Sequence, residues 1–381
     1  MIQTENIHKC CGCSACSSIC GHNAIKMHKD DLGFMYPYVI KENCIGCGLC
    51  EKVCPFQGEQ LPAFLNSPSK AYAVRHKSIK EIETSRSGAI FIALSDWILE
   101  NGGTVYGAGY GEHFRVMHKR ANDKIKRDEF KGSKYAQSDM MSVFQDIKSD
   151  LKMGLCVLFS GTPCQVAAVK SYVPMKLHDK LYLIDLICHG VTSPAVWDAY
   201  LRYLEKEIGK TIKEVNFRDK KIFGWSGLHK ESFVFEDDEK RTFQYTYYSD
   251  LIIRPSCNVC PYASLNRTSD ITIGDFWGWE KVCPTFNVDD KGCSIVLVNT
   301  SKGDGYFETV AERLLYMPVP IDSCLQPNLL SPTQENLLRL QFEKDFKSRG
   351  FKYTMKKYGE VGCKFYYRRL VNFVRRVIEK K

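Results

Sequence analysis

The 381-residue sequence predicts a multidomain α+β chain, in which a small cysteine-ligated N-terminal domain precedes an α/β domain with a mainly parallel sheet. Three observations carry that prediction. Nine of the 18 cysteines fall between Cys10 and Cys54. From Ala71 onward, short apolar strand patterns alternate with helical ones, and two strand-to-helix junctions each carry a further cysteine. Hydrophobic residues make up 44% of the chain and prolines number only 14, which suits two or three globular domains with a sizeable core.

The N-terminal domain, residues 1–60, is defined by its thiols. "KCCGCSACSSIC" sets Cys10, Cys13, Cys16 and Cys20 in the register C-x2-C-x2-C-x3-C, with Cys11 left over. "NCIGCGLCEKVCP" repeats the register with Cys44, Cys47, Cys50 and Cys54. Bacterial ferredoxins hold 4Fe-4S clusters with this run, the fourth cysteine of each run ligating the other run's cluster. Cys10, Cys13, Cys16 and Cys54 are therefore assigned to one cluster, and Cys44, Cys47, Cys50 and Cys20 to a second. The small residues between them, Gly12, Ser14, Ala15, Gly46 and Gly48, let backbone amides turn toward sulfur. A disulfide framework would need export, for which "MIQTENIHK" offers no apolar segment. Zinc would be content with four ligands of the C-x2-C kind and leaves the x3 cysteines without a purpose. The run departs from pattern at Gly21, where Pro is more usual, which is expected to alter the turn and the solvent access beside it. Between the runs, "IKMHKDDLGFMYPYVI" reads as a hairpin. Residues 61–70 read as a polar, proline-bearing linker.

The body follows. "AYAVRH" is a short strand, and "SRSGAIFIALSDWILENGG" a helix opened by Ser85, Ser87 and Gly88, with Ile90, Phe91, Leu94 and Ile98 on its buried face. "GTVYGAGYGEHFRVMHKRA" holds glycines that tempt one toward a dinucleotide fingerprint, but a returning strand follows them, so a hairpin is the better reading. "LCVLFSGTPCQVAAVKSYV" is a buried strand running into a helix capped at Thr162, with Pro163 at its first position and Cys164 in its first turn. "KLYLIDLICHGVTSPAVWDAYLRYLEKEIGK" repeats the plan. Its strand ends at Cys188-His189-Gly190, and its helix buries Val196, Trp197, Tyr200, Leu201 and Leu204. Both units put a cysteine just past a strand's C-terminal end, where α/β sheets place ligands.

Cys164, Cys188 and the pair Cys257 and Cys260 in "RPSCNVCPYA" are hard to treat as filler. Together they can supply four ligands to a third 4Fe-4S cluster, with the helix N-terminus favouring the thiolate of Cys164. On spacing alone two alternatives stay open: a redox-active thiol at Cys164, and a zinc site of Cys188, His189, Cys257 and Cys260. Cys283, Cys293, Cys324 and Cys363 read as ordinary thiols, and Cys156 as a buried strand residue.

The net charge of +9 sits in the C-terminal tail, residues 341–381, with 13 basic against 4 acidic residues from Gln341 onward; the rest is neutral. "KFYYRRLVNFVRRVIEKK" is a basic amphipathic pattern with Phe365, Leu370, Phe373, Val374 and Val377 for one face. A docked helix with a solvated rim is the plain expectation, and contact with a membrane surface or an acidic partner the sharper one. No nucleic-acid module accompanies the charge. No apolar run reaches the length of a membrane span, and thiol-rich sites without an export signal imply a reducing, cytoplasmic compartment.

"SGTPCQVAA", "DLICHGVTSPAVWDAYL", "RPSCNVCPYA" and "SDITIGDFWGWEKV" together resemble the beta-subunit family of coenzyme F420 hydrogenases and dehydrogenases. "SRSGAIFIAL" and "KGSKYAQS" look like that family's N-terminal half. The resemblance runs from Ala71 to about Leu340, divided as 71–150 and 151–340. It implies an iron–sulfur flavoprotein with FAD, and Cys164, Cys188, Cys257 and Cys260 as ligands of a third cluster. Clusters move one electron and organic substrates are usually reduced by two, so a flavin is the natural junction.

With no G-x-G-x-x-G site, FAD must be held otherwise. Candidates are the helix opening at Ser85, Ser87 and Gly88, whose amides can meet a phosphate, and the loop of Lys131, Ser133, Lys134 and Tyr135. Ser160, Gly161 and Thr162 are placed to approach the isoalloxazine. For a proton donor or acceptor the candidates are Asp275, the best placed, and His189, with Asp185 behind them. Arg254 is a candidate for tuning a cluster or binding an anionic substrate. The expected function is an oxidoreductase passing electrons between clusters, FAD and a hydride-accepting or hydride-donating small molecule, with ferredoxin or a partner redox subunit as electron carrier. A non-catalytic electron conduit is the first alternative, and a flavin-free redox sensor the second.

Overall fold

The computed structural model describes residues 2, 5–58, 64–140, 142–226, 231–243 and 250–359. The amphipathic tail segment from 364, Cys363 and the first residues of the linker lie outside them. In the N-terminal domain, strands β1 (Ile25–Lys29) and β2 (Met35–Val39) form the expected antiparallel hairpin, with Ile25 opposite Val39. Each cysteine run enters a short helix, Ala15–Ile19 or Leu49–Lys52.

The body is one eight-stranded sheet. Its strands are β3 (Lys70–His76), β4 (Thr104–Tyr110), β5 (Val116–Ala121), β6 (Val157–Gly161), β7 (Leu181–Leu186), β11 (Ile271–Asp275), β12 (Ser294–Val298) and β13 (Leu314–Pro318). They lie in the order β13-β3-β12-β11-β7-β6-β4-β5. The parallel pairings predicted for the sheet are confined to its centre, β11-β7-β6-β4, while both flanks run antiparallel. The glycine-rich stretch is the hairpin β4–β5, its glycines followed by a three-residue 3-10 turn, Glu112–Phe114, and the returning strand instead of an α-helix; a Cβ on Gly107 would lie 2.7 Å from the Phe130 ring. Because β3 pairs between β12 and β13, residues 71–150 and 151–340 contribute to a single sheet and do not fold as separate halves.

Helices Ile90–Glu100, Pro163–Tyr172 and Pro194–Ile208 cover the sheet. The last buries Val196, Trp197, Tyr200, Leu201 and Leu204 and ends at Gly209 with φ +75°, as its sequence pattern requires. A second, three-stranded sheet of β8 (Ile212–Asn216), β9 (Glu231–Phe235) and β10 (Lys240–Phe243) packs Phe233 and Phe235 against Trp197 and Tyr200. Nothing in the sequence pattern announced it. Arg339–Tyr358 is helical on either side of a break at Gly350 (φ +73°) and packs Phe342, Phe351 and Met355 into the same core, while the docked amphipathic helix expected from 364 onward lies outside the described residues.

The N-terminal domain and its linker are both bonded to the body. Asn66 exchanges backbone hydrogen bonds with Arg267, and Ser69 N–H donates to Val298. The domain itself is bonded to the body: Tyr262 Oη donates to Pro55 O (2.6 Å), Gln137 Nε2 to Cys11 O (2.7 Å) and Ser193 Oγ to Leu32 O (2.6 Å). Cys11, Cys13, Ala15 and Val53 belong to the same apolar core as Val157, Phe159 and Val166. Tertiary contact overrides the boundary that composition marked.

Candidate functional site

Three cavities lie in series. The first is lined by Cys10, Cys13, Cys16 and Cys54, with Cys11 and Gly12, at the base of the N-terminal domain. Burial, with Cys10 and Cys54 close by, pushes the Cys16 thiol up to about 12, and burial likewise moves Cys54 to about 11. Cys20 and Cys50 pack beside this group, while Cys47 is exposed and Cys44 half-buried.

The second cavity, about 580 Å³ with interatomic gaps and the solvent at its mouth included, is lined by Cys164, Cys188, Cys257 and Cys260. Their placement follows from the fold. Cys164 lies in the first turn of the helix after β6, Cys188 follows β7, and Cys257 sits within and Cys260 just after a short 3-10 turn, Pro255–Val259. Burial pushes Cys257 and Cys260 each to about 12 and moves Cys188 well up, with the neighbouring thiols adding to the effect. At Cys164 the lowering expected of a helix N-terminus is opposed by its surroundings. A hydrogen bond with the Cys11 thiol, together with burial, moves it well up. A crowd of buried thiols that resist ionisation needs a cationic centre to become thiolates.

The donor set suits clusters better than single ions. Among the described residues no three His, Cys, Asp or Glu side chains converge closely enough to share one metal ion. Thiolates around a cubane stand wider apart, because each meets a different iron. The zinc alternative also loses its histidine: His189 is half-exposed and its Nε2 lies 3.3 Å from Asp250.

The third cavity is a cleft of about 1680 Å³, solvent at its mouth included. It is lined by Ser85, Ser87, Lys131, Ser133, Lys134, Tyr135, Ser160, Gly161 and Thr162, and by Asp275 and His189. It shares a wall with the second cavity through Thr162, Cys188 and Gly190. A flat, mostly apolar group fits: Ile90, Phe91, Phe130, Ile187 and Trp277 supply the apolar surface. Two buried polar atoms of its lining, Ser85 Oγ and His118 Nδ1, have no partner among the described residues. On one side the cleft runs into a chamber of about 980 Å³ bearing Arg86, Lys131, Lys134, Arg218, Lys220 and Lys240.

Several expected roles change. Gly88 is not a free phosphate donor: its N–H donates to Ser294 Oγ (2.9 Å), and a Cβ there would strike Val74 O at 2.1 Å. Ser87 Oγ is likewise committed, to Cys293 O. Lys131 is neutralised by Glu81 (2.8 Å) and Asp128 (3.0 Å), whereas Lys134 Nζ donates to the carbonyls of Glu129 and Lys131 and burial lowers it to about 7. Asp275 is a poor proton donor. Burial raises its carboxyl, but Arg86 and Arg218 outweigh that and hold it below the usual range, with Arg218 at 2.8 Å. Asp185 is buried behind the cleft, 3.9 Å from Arg267. Cys156 stands half-buried just before β6, not within it.

Sequence reasoning passed over His118, Arg86, Arg218 and Lys220. His118 is buried and stacked on Phe159, and its Nε2 donates to Ser160 O (3.1 Å). Burial lowers it to about 4, so it is neutral and presents Nδ1 as an acceptor. Lys220, lowered to about 7 by burial, is held by the carbonyls of Ile82, Ser87 and Lys291. Only the run "NFRDKK" hinted at the chamber's charge.

Two parts of the chain match known families. Residues 155–322 match the family described as the C terminus of the coenzyme F420 hydrogenase/dehydrogenase beta subunit. Residues 9–57 match 4Fe-4S dicluster domains. Ferredoxin-3 of Rhodobacter capsulatus is 31% identical over 67 aligned positions, which take in 12% of this chain and 66% of that protein's length. A chain of the F420-reducing NiFe hydrogenase complex from Methanosarcina barkeri, solved as a xenon derivative, aligns over 77% of this chain and 92% of its own. That likeness is loose, at 18% identity and a TM-score of 0.47. Among the described residues no helix is long and apolar enough to cross a membrane.

Proposed function

We propose, from the premise that residues 155–322 belong to the C-terminal family of F420 hydrogenase/dehydrogenase beta subunits and residues 9–57 to the 4Fe-4S dicluster domains, that this chain is an iron–sulfur flavoprotein oxidoreductase. It would pass electrons between ferredoxin-type clusters and a small organic hydride acceptor or donor, coenzyme F420 or another. The observation that carries this reading is the shared wall: Thr162, Cys188, His189 and Gly190 line both the cysteine cavity and the large cleft.

Cys10, Cys13, Cys16 and Cys54 would hold one cluster, Cys44, Cys47, Cys50 and Cys20 a second, and Cys164, Cys188, Cys257 and Cys260 a third. FAD in the cleft would supply the junction between one-electron and two-electron chemistry that clusters lack. Ser85, Ser133 and Lys134 would hold its phosphates where the cleft opens into the basic chamber, and Ser160, Gly161 and Thr162 would wall the end beside the cysteines. Asp275 keeps Arg86 and Arg218 aimed there and moves no proton. The neutral His118 offers Nδ1 to an N–H donor in the cleft. His189, exposed at the wall and paired with Asp250, is the remaining candidate for proton exchange.

A second reading, an electron-transfer subunit serving a separate catalytic partner, is favoured by the surface around the second run. Ile45 (66% exposed) and Leu49 (45%) flank the exposed Cys47, an apolar patch suited to a docking protein. Anaerobic purification with iron, sulfide and flavin analysis tests the main reading. About 12 iron atoms and one FAD per chain are expected from three four-iron clusters and a flavin. About 8 iron atoms and no flavin would overturn it. Reduction of a small-molecule acceptor by the isolated chain separates the enzyme from the conduit.

A further inference from the structure

Arg254 is fully buried, and no carboxylate lies within ion-pair distance of it among the described residues. Its guanidinium is nevertheless fixed on every side. Nε donates to Cys10 O (2.8 Å), Nη1 to Gln137 Oε1 (2.8 Å) and Nη2 to Met35 O (2.9 Å), with Cys10 Sγ 3.7 Å from Nη2. The ring of Tyr36 lies 4.2 Å from the guanidinium carbon and that of Phe34 5.3 Å. Gly12 is shaped around it: with φ +68°, a Cβ there would meet Nη1 at 2.7 Å. On its other side Arg254 lines the cavity of Cys164, Cys188, Cys257 and Cys260, and its own carbonyl accepts from Cys257 N–H (2.9 Å).

A buried cation without an anion is costly, and hydrogen bonds to carbonyls and a neutral amide do not cancel its charge. The Asp30 carboxylate acts on that charge only from beyond ion-pair distance, its Oδ1 accepting from the Leu32 and Phe34 amides; the groups that flank the guanidinium directly are two sets of thiolates, once they ligate iron. We propose that Arg254 is a counter-charge shared by the Cys10/Cys13/Cys16/Cys54 cluster and the Cys164/Cys188/Cys257/Cys260 cluster, raising the reduction potentials of both together. The inference rests on the three-cluster reading above. A cluster gains one negative charge when it accepts an electron, and a fixed cation beside it favours that form. None of Cys44, Cys47, Cys50 and Cys20 hydrogen-bonds to Arg254 or lines a cavity with it, so their cluster serves as an internal reference. The two clusters that flank the domain junction would thus be tuned as a pair, keeping the electron step between them nearly level.

The test is a redox titration of the full chain, followed by electron paramagnetic resonance, for the wild type and three variants. Arg254→Gln removes the charge. Gln137→Glu keeps Arg254 and sets a carboxylate against Nη1. Arg254→Lys keeps the charge and loses the fork. The first two should lower two midpoint potentials and leave the third unchanged, and Arg254→Lys should shift both far less. Should Arg254→Gln fail to hold iron, Gln137→Glu alone gives the same readout. A single shifted potential, three shifted potentials, or a Lys variant moving as far as the Gln variant would each overturn the proposal. A wild type with fewer than three clusters would instead overturn the reading beneath it.

Discussion

The two cysteine runs have one register and two environments. Cys11-Gly12 between the first two ligands corresponds to Ile45-Gly46, and Ser14-Ala15 to Gly48-Leu49. The backbone repeats as well: Gly12 and Gly46 have φ +68° and +70°, and Ser14 and Gly48 +67° and +74°. Yet Cys11 and Ala15 are buried while Ile45 and Leu49 are exposed. Gly12 is wedged against Arg254, Gln137 and Met35, whereas nothing stands within 4 Å of a Cβ at Gly46. Spacing fixes which thiols can share a cluster, and what packs over the loop fixes whether that cluster faces water or the interior. On the proposed reading the first run would serve as a relay and the second as a port.

The largest expected difference comes from removing one ligand on each side. Cys16→Ser should cost about 3 kcal/mol of stability, because losing that cluster removes one of the two anions that flank the buried Arg254. Cys50→Ser should release the same iron, about four atoms, at a cost of roughly 1 kcal/mol or less, since its loop is already open to water. Thermal melts with iron analysis check the pair, and equal melting shifts would erase the distinction.

Next in size are the glycines. At Gly46 an alanine costs the left-handed backbone alone, about 1–2 kcal/mol. At Gly12 overpacking against Arg254 adds about 1–3 kcal/mol. Denaturant unfolding of the two variants measures the gap. If Gly12→Ala is no worse, the wedge has no energetic meaning.

Chelation gives a kinetic version. Iron should leave an oxidised, chelator-treated sample in two phases, with roughly a third of it in the fast phase from the exposed cluster. A single phase would mean that exposure does not govern access. Smallest of all, Ile45→Asp should change stability by no more than about 0.5 kcal/mol while slowing reduction by an external ferredoxin. An unchanged rate in a stopped-flow experiment would move the docking patch elsewhere.

Much of this was legible in the sequence. The β1–β2 hairpin, the β4–β5 hairpin and the capped helices after β6 and β7 were read from turn residues and apolar periodicity, which are local signals. The cleft was legible in outline too, since every expected flavin contact except Gly88 lines it. What failed were statements about whether a group was free. Gly88, Lys131 and Asp275 have the right chemistry, but their partners Ser294, Glu81, Arg86 and Arg218 come from distant parts of the chain. His118 and Arg218 gave no local signal because each acquires its role through burial.

By itself the sequence determined which atoms could ligate iron, for the spacing within each run restricts the reach of its thiols. It also determined that strands feed helices with a cysteine at the junction, because caps and apolar spacing act within a few residues. Only the tertiary structure decided that the N-terminal domain is fused to the body, that Cys11 and Arg254 stand between two cavities, and that one run is buried while its twin is exposed. Burial and the charge that neighbours cancel depend on contacts between residues far apart in the chain, and no local pattern encodes them.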